Sequence, residues 1–165
     1  MEKRKKEILV DTLGNVTFSL IASAITDYSS GLRGMGILAS RSYGTAINIP
    51  TGGPYGKWRN YVYRNFKTTD RSTKIKKGLT EFVAFNSFQT PLYTTVLTVG
   101  SLFSNLLKGE LKVDYENVLT GTVILTTISP LVGPLMGLYM EGVRKIFGIK
   151  SAPKQARESL ENKIC

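Results

Sequence analysis

The chain contains no histidine, and its single cysteine is the last residue, Cys165. Imidazole bases, thiol nucleophiles and the commonest metal ligands are therefore missing, which leaves no recognisable catalytic or metal-binding constellation. Also absent is a G-x-x-x-x-G-K-S/T loop of the kind that cradles nucleotide phosphates. The reading is a non-enzyme with no cofactor and no ATP-driven step. Acids are scarce beside bases, 12 Asp and Glu against 22 Lys and Arg, for a net charge of +10.

Charge is also missing in blocks. Phe82 to Leu107 and Asn117 to Met140 carry no charged side chain, Ile8 to Thr26 is interrupted only by Asp11, and Gly34 to Gly56 only by Arg41. About 20 apolar or neutral residues in an α-helix cross a hydrocarbon core of about 30 Å. The expected fold is an all-α integral membrane protein with four transmembrane helices, at about 8–26, 36–55, 79–101 and 117–140. They form one domain, 1–148, followed by a basic tail, 149–165, that reads as solvated. A soluble helical domain competes, since the average hydropathy is near zero, but that average mixes apolar spans with basic connections.

The placement of the basic residues decides what the net charge means. Lys3 to Lys6 precede the first span, eight Lys and Arg between Lys57 and Lys77 separate the second from the third, and six between Arg144 and Lys163 follow the fourth. The other two connections hold only Arg33, Lys108 and Lys112. Alternating basic connections follow the positive-inside pattern, with both termini cytoplasmic and Ser30 and Lys112 outside. Nucleic acid is not an expected partner, because a nucleic-acid binder has no reason to space its basic clusters one membrane thickness apart. The N-terminus is basic and then apolar like a signal peptide, but Asp11 interrupts it and no small-residue cleavage site follows, so the first span is expected to be retained.

Pro50, Gly52, Gly53 and Pro54 are expected to weaken the second helix near its inner end. Between Lys57 and Gly78, Trp58, Tyr61, Tyr63 and Phe66 interleave with bases, the composition of an anchoring belt on the inner leaflet. A faint internal repeat aligns Leu9, Asp11 and Phe18 with Leu79, Glu81 and Phe88, and Gly53, Pro54 and Gly56 with Gly133, Pro134 and Gly137. Two parallel hairpin repeats would follow, a plan on which transporters bind substrate at the repeat interface.

Ionisable groups within spans are costly and need a reason. Asp11 and Glu81 sit a few residues into the first and third spans, and Glu141 closes the fourth. Two readings stand: coupling carboxylates, or acids that snorkel to the interface and favour a helix N-terminus. Arg41, near the outer end of the second span, is either a partner for a carboxylate or a snorkelling anchor. Asn48 and Gln89 are mid-span amides that need partners, and they are the leading candidates for a substrate path with Pro91, whose ring frees a main-chain carbonyl. Gly133 and Gly137 form a G-x-x-x-G pair, extended by Gly121, Leu125 and Ser129 at the same spacing, and suit either dimerisation or packing within one subunit.

Taken in order, Ser40-Arg41, Asn48, Pro54-Tyr55-Gly56 with Arg59, Phe88-Gln89-Thr90-Pro91-Leu92-Tyr93, and Gly133-x-x-x-Gly137 ahead of Glu141 and Arg144 resemble the bacterial L-alanine exporter family, AlaE. The resemblance covers about Asp11 to Phe147. It departs at Gly53, where the family has a bulky aromatic, and at Ala46, where it has a proline. The resemblance implies a multi-pass inner-membrane exporter of L-alanine or a similar small amino acid. It also implies drive by the proton gradient, contact with lipid, and a homo-oligomer joined through the glycine pair. Tyr93 enters the substrate path on this resemblance. The competing function is a non-transporting membrane adaptor acting through the basic loop.

Overall fold

A computed structural model describes residues 2–29, 35–106, 109–113 and 115–162. Every regular element in it is a helix: α1 (Glu2–Ser29), α2 (Met35–Asn65), α3 (Lys74–Leu106), α4 (Tyr115–Ile146) and α5 (Ala152–Glu161). Among the described residues one stretch, Val118–Ile146, has the length and hydropathy of a membrane span on its own. The other long helices carry too many Thr, Asn, Gly and terminal charges to reach that level unaided.

The helices pack as two hairpins, α1 along α2 and α3 along α4, with smaller contacts joining α1 to α4 and α2 to α3. Small residues make the close approach within each hairpin. A Cβ at Gly52 would lie 2.6 Å from the Thr12 backbone, and one at Gly56 would strike the Asp11 side chain. In the second hairpin a Cβ at Gly133 would lie 3.1 Å from the Phe82 backbone, and one at Gly137 would strike Glu81. Gly52 and Gly56 meet α1 much as Gly133 and Gly137 meet α3, whereas the sequence alignment sets Gly53, not Gly52, opposite Gly133. Asp11 lies near Arg144 and Glu81 near Arg59, so α1 and α3 begin at the same end and the hairpins are parallel.

Polarity is distributed inside out. Buried positions include Asp11, Asn15, Arg59, Glu81, Ser129 and Arg144, while Leu9, Leu119, Leu131, Leu135 and Leu138 are exposed. Buried polar groups and exposed apolar patches are the departures from a soluble interior that carry information. A short apolar cluster of Tyr55, Phe85, Met136 and Met140 separates the charged end from the rest.

Three expectations change. α2 continues through Pro50 and Pro54 without a break, because the Gly52–Gly53 stretch is seated against Thr12 and Ile8 of α1. The belt between Lys57 and Gly78 is mostly helix, with α2 running to Asn65 and α3 starting at Lys74. Tyr63 in it is buried, while Trp58 stacks on Tyr61 at 5.4 Å. The tail beyond Gly148 is not simply solvated: α5 buries Ala152 and Ala156 against Tyr63, since its apolar residues fall on one face.

Candidate functional site

The polar interior is built by four-residue spacing, which puts side chains on one helix face. Glu7, Asp11 and Asn15 form such a face on α1. Arg59 and Asn60 follow Gly56 by three and four residues on α2, and Glu141 and Arg144 follow Gly137 by four and seven on α4.

Each acid of one hairpin meets an arginine of the other. Arg144 grips Asp11 in a two-pronged contact, Nε to Oδ1 at 2.7 Å and Nη2 to Oδ2 at 2.8 Å. Its Nη1 donates to Asn60 at 3.0 Å, and Glu7 lies 3.8 Å from its Nη2. On the other side Arg59 donates from Nε to both Glu81 oxygens at 3.0 and 2.9 Å, and from Nη2 to Glu141 at 2.6 Å. The Tyr63 hydroxyl donates to Glu81 at 2.7 Å, and the Arg59 guanidinium sits 5.4 Å from the Tyr63 ring centre.

Burial alone would lower Arg59, but the Glu81 carboxylate holds it well above its ordinary value. Burial, then Glu81, pushes the Tyr63 hydroxyl far up, so it stays a donor. Removing one member of a buried pair strands the other charge and costs about 3–5 kcal/mol. The four charges therefore act as two cross-ties between hairpins.

Asp11 and Glu81 are 2 and 4 % exposed and lie beyond the first turns of their helices, so neither snorkelling nor the helix dipole accounts for them. Glu141, partly exposed at 26 % of its side chain, joins the Arg59 group and also accepts the Ala152 N–H at 3.2 Å.

Deeper in the bundle, the two amides singled out in the sequence are joined through a third. Asn15 donates to Asn48 Oδ1 at 3.2 Å, and Gln89 donates to Asn15 Oδ1 at 3.2 Å. Asn15 is fully buried. Besides Arg157 Nε on α5, two buried side-chain atoms among the described residues remain without partners, the Tyr55 hydroxyl and Arg59 Nη1. They stand one helical turn apart on the same face of α2.

The remaining candidates fall elsewhere. α3 continues through Pro91, and Tyr93 is 39 % exposed on that helix. Arg41 belongs to α2, though its side chain lies outside the described residues, as does Ser30. Gly133 and Gly137, one reading of which was a seam between copies, are occupied within the subunit by Phe82 and Glu81. Sequence reasoning missed Asn15 and gave Arg59 and Arg144 no role of their own. Asn15 was findable as the residue four after Asp11; the arginines were hidden among basic residues that looked like anchors.

An apolar exterior around cross-tied hairpins with an amide-lined interior defines a small helical membrane protein with a polar core. The chain belongs to the L-alanine exporter family: the family model described as AlaE, L-alanine exporter, matches residues 1–150. It is 27% identical over 144 residues to the L-alanine exporter of Cereibacter sphaeroides, covering 86% of this chain and 96% of that one. The Vibrio cholerae exporter is 28% identical over 141 residues, 84% of this chain and 85% of its own. That of Citrobacter koseri is 25% identical over 152 residues, 91% and 93%. No solved structure matches the chain. The resemblance read from Arg41 through Arg144 is the correct family.

Proposed function

We propose that this protein exports L-alanine, or a similar small amino acid, from the cytoplasm across the bacterial inner membrane as a proton-coupled secondary transporter. The observation that carries the reading is the pair of buried acid–arginine ties between repeated hairpins, in a chain of the L-alanine exporter family. Helices of 28 to 33 residues extend about 42–50 Å at 1.5 Å per residue. A core of about 30 Å leaves several turns over. With both termini cytoplasmic, those turns and the ion pairs lie at the inner end of four spans.

The ties hold that end closed in this conformation. Inward opening must separate α1 from α4 and α2 from α3, which breaks both pairs. We place the coupling step at these two ties, because neutralising either acid removes the charge attraction that closes its pair. Arg59 Nη1 and the Tyr55 hydroxyl are free donors for a substrate carboxylate, and Asn15, Asn48 and Gln89 mark the path above them. Lipid contacts the outer apolar faces. Phe82 and Glu81 pack on the Gly133–Gly137 stripe within the subunit, which favours a homo-oligomer through another face.

Cells fed an alanine-containing dipeptide and expressing this chain should release labelled L-alanine faster than cells without it, and a protonophore should abolish the difference. Equal release in both would remove the exporter reading and favour the adaptor, for which the loop between Lys57 and Gly78 is the essential part.

A further inference from the structure

α5 lies outside residues 1–150, the stretch matched to the family, yet it is tied into the polar interior at two points. Gln155 donates to Glu7 at 2.7 Å and accepts from Asn60 at 3.1 Å, and Asn60 in turn accepts from Arg144. In the same first turn the Ala152 N–H bonds Glu141, the partner of Arg59. The helix thus reaches one hydrogen bond from each buried arginine's own partners.

Between α5, α1 and α2 is a cavity of about 320 Å³. At about 30 Å³ per water, it has room for roughly ten waters, ample for a small amino acid. Asp11 and Glu7 line it together with Arg4, Lys57, Arg64 and Gln155. Both acids are engaged, whereas none of the three basic side chains pairs with an acid among the described residues. Free cations beside a carboxylate and an amide oxygen suit a ligand that carries an anionic and a cationic end close together.

We propose that this cavity is the cytoplasmic loading site for the zwitterion of a small α-amino acid, and that α5 supplies its inner wall. The carboxylate meets the cations contributed by α1 and α2, and the ammonium meets Glu7 and the Gln155 carbonyl oxygen. Drawing Gln155 onto the ammonium loosens its link to Asn60 and so to Arg144, which connects loading to the Asp11 tie. The inference rests on the exporter reading.

Equilibrium binding of labelled L-alanine to the purified full chain in phosphatidylcholine nanodiscs tests it, beside the dipeptide export assay. Replacing Arg4, Lys57 and Arg64 together by Gln should weaken binding at least tenfold. Ser159→Trp, which fills the cavity from the α5 side, should do the same while size-exclusion behaviour and helicity stay those of the parent. Alaninamide and propionate, each lacking one of the two charges, should fail to compete. Parent-like affinity in both well-folded variants overturns the loading site while export by the parent chain leaves the exporter reading intact. A parent that neither exports nor binds alanine removes both. If the basic variant weakens binding only when phosphatidylglycerol is added, the cations serve a lipid headgroup and the loading site is overturned.

Discussion

The two hairpins are built alike and closed differently. In each, an acid on the first helix lies beneath a glycine of the second and is held by an arginine of the other hairpin. Glu81 is enclosed by Arg59 and Tyr63, and Arg59 has Glu141 as a second acid. Asp11, though as well buried, borders the cavity beneath α5, and Arg144 falls back on Asn60 and Glu7. A duplicated frame has one sealed tie and one that faces an entrance.

The largest effect should come from the sealed tie. Glu81→Leu leaves Arg59 with the partly exposed Glu141 in place of its buried partner and takes the acceptor from the Tyr63 hydroxyl, and should lower stability by about 3 kcal/mol, seen as lost membrane-inserted protein and a reduced Tm in detergent. Asp11→Asn should be milder in Tm, because Arg144 keeps its other acceptors, yet should lower alanine export at least as much. Equal Tm losses for the two would show that the hairpins are closed to the same degree.

Next come the glycines beneath the acids. Gly56→Ala and Gly137→Ala each drive a methyl group into a carboxylate-bearing side chain, an overpacking that costs about 1–3 kcal/mol. Gly142→Ala, which meets open space inside α4, is the control and should hold or slightly raise Tm, alanine being the better helix former. A loss of crosslinked dimer at unchanged Tm in Gly137→Ala would return that stripe to a role between copies.

The amides should follow. Asn15→Leu breaks both bonds of the triad and leaves the half-buried Asn48 and Gln89 short of partners, at about 0.5–1.5 kcal/mol for each bond lost. Gln89→Leu removes one bond and should have the smaller effect on Tm, with export reduced in both. If Gln89→Leu is the more damaging to export, the amide serves the substrate and not merely the triad.

Least is expected of the surface pair between Lys150 and Glu158, 2.6 Å apart. Exposed ion pairs add little in water, so Glu158→Gln should change neither Tm nor export. A clear fall in either would mean that α5 docks through this pair and not through Ala152, Ala156 and Gln155.

Much of the molecule was legible from local pattern. Charge-free runs marked the middles of four long helices, whose ends reach beyond them into charged sequence. The repeat was visible in Asp11 and Glu81 because the same packing problem is solved twice with the same residue types. Asn48 and Gln89 stood out because an amide in an apolar run needs a partner.

What the chain order could not disclose is who meets whom. Arg59 and Arg144 resembled membrane anchors since nothing local distinguishes a lysine-rich boundary from a buried cation; only the crossing of the hairpins, 133 residues apart in sequence for Asp11 and Arg144, makes the difference. The glycine pair was equally ambiguous, because a small-residue face permits close approach without specifying its partner. The tail looked solvated by composition, and its burial depends on a surface that α2 supplies. Sequence alone therefore determined where the apolar middles of four helices lie, the apolar and polar composition of each segment, and the family. Tertiary structure decided which charges are paired, which glycines are filled and where a cavity remains, because long-range electrostatics and close packing are properties of surfaces that exist only after the helices have met.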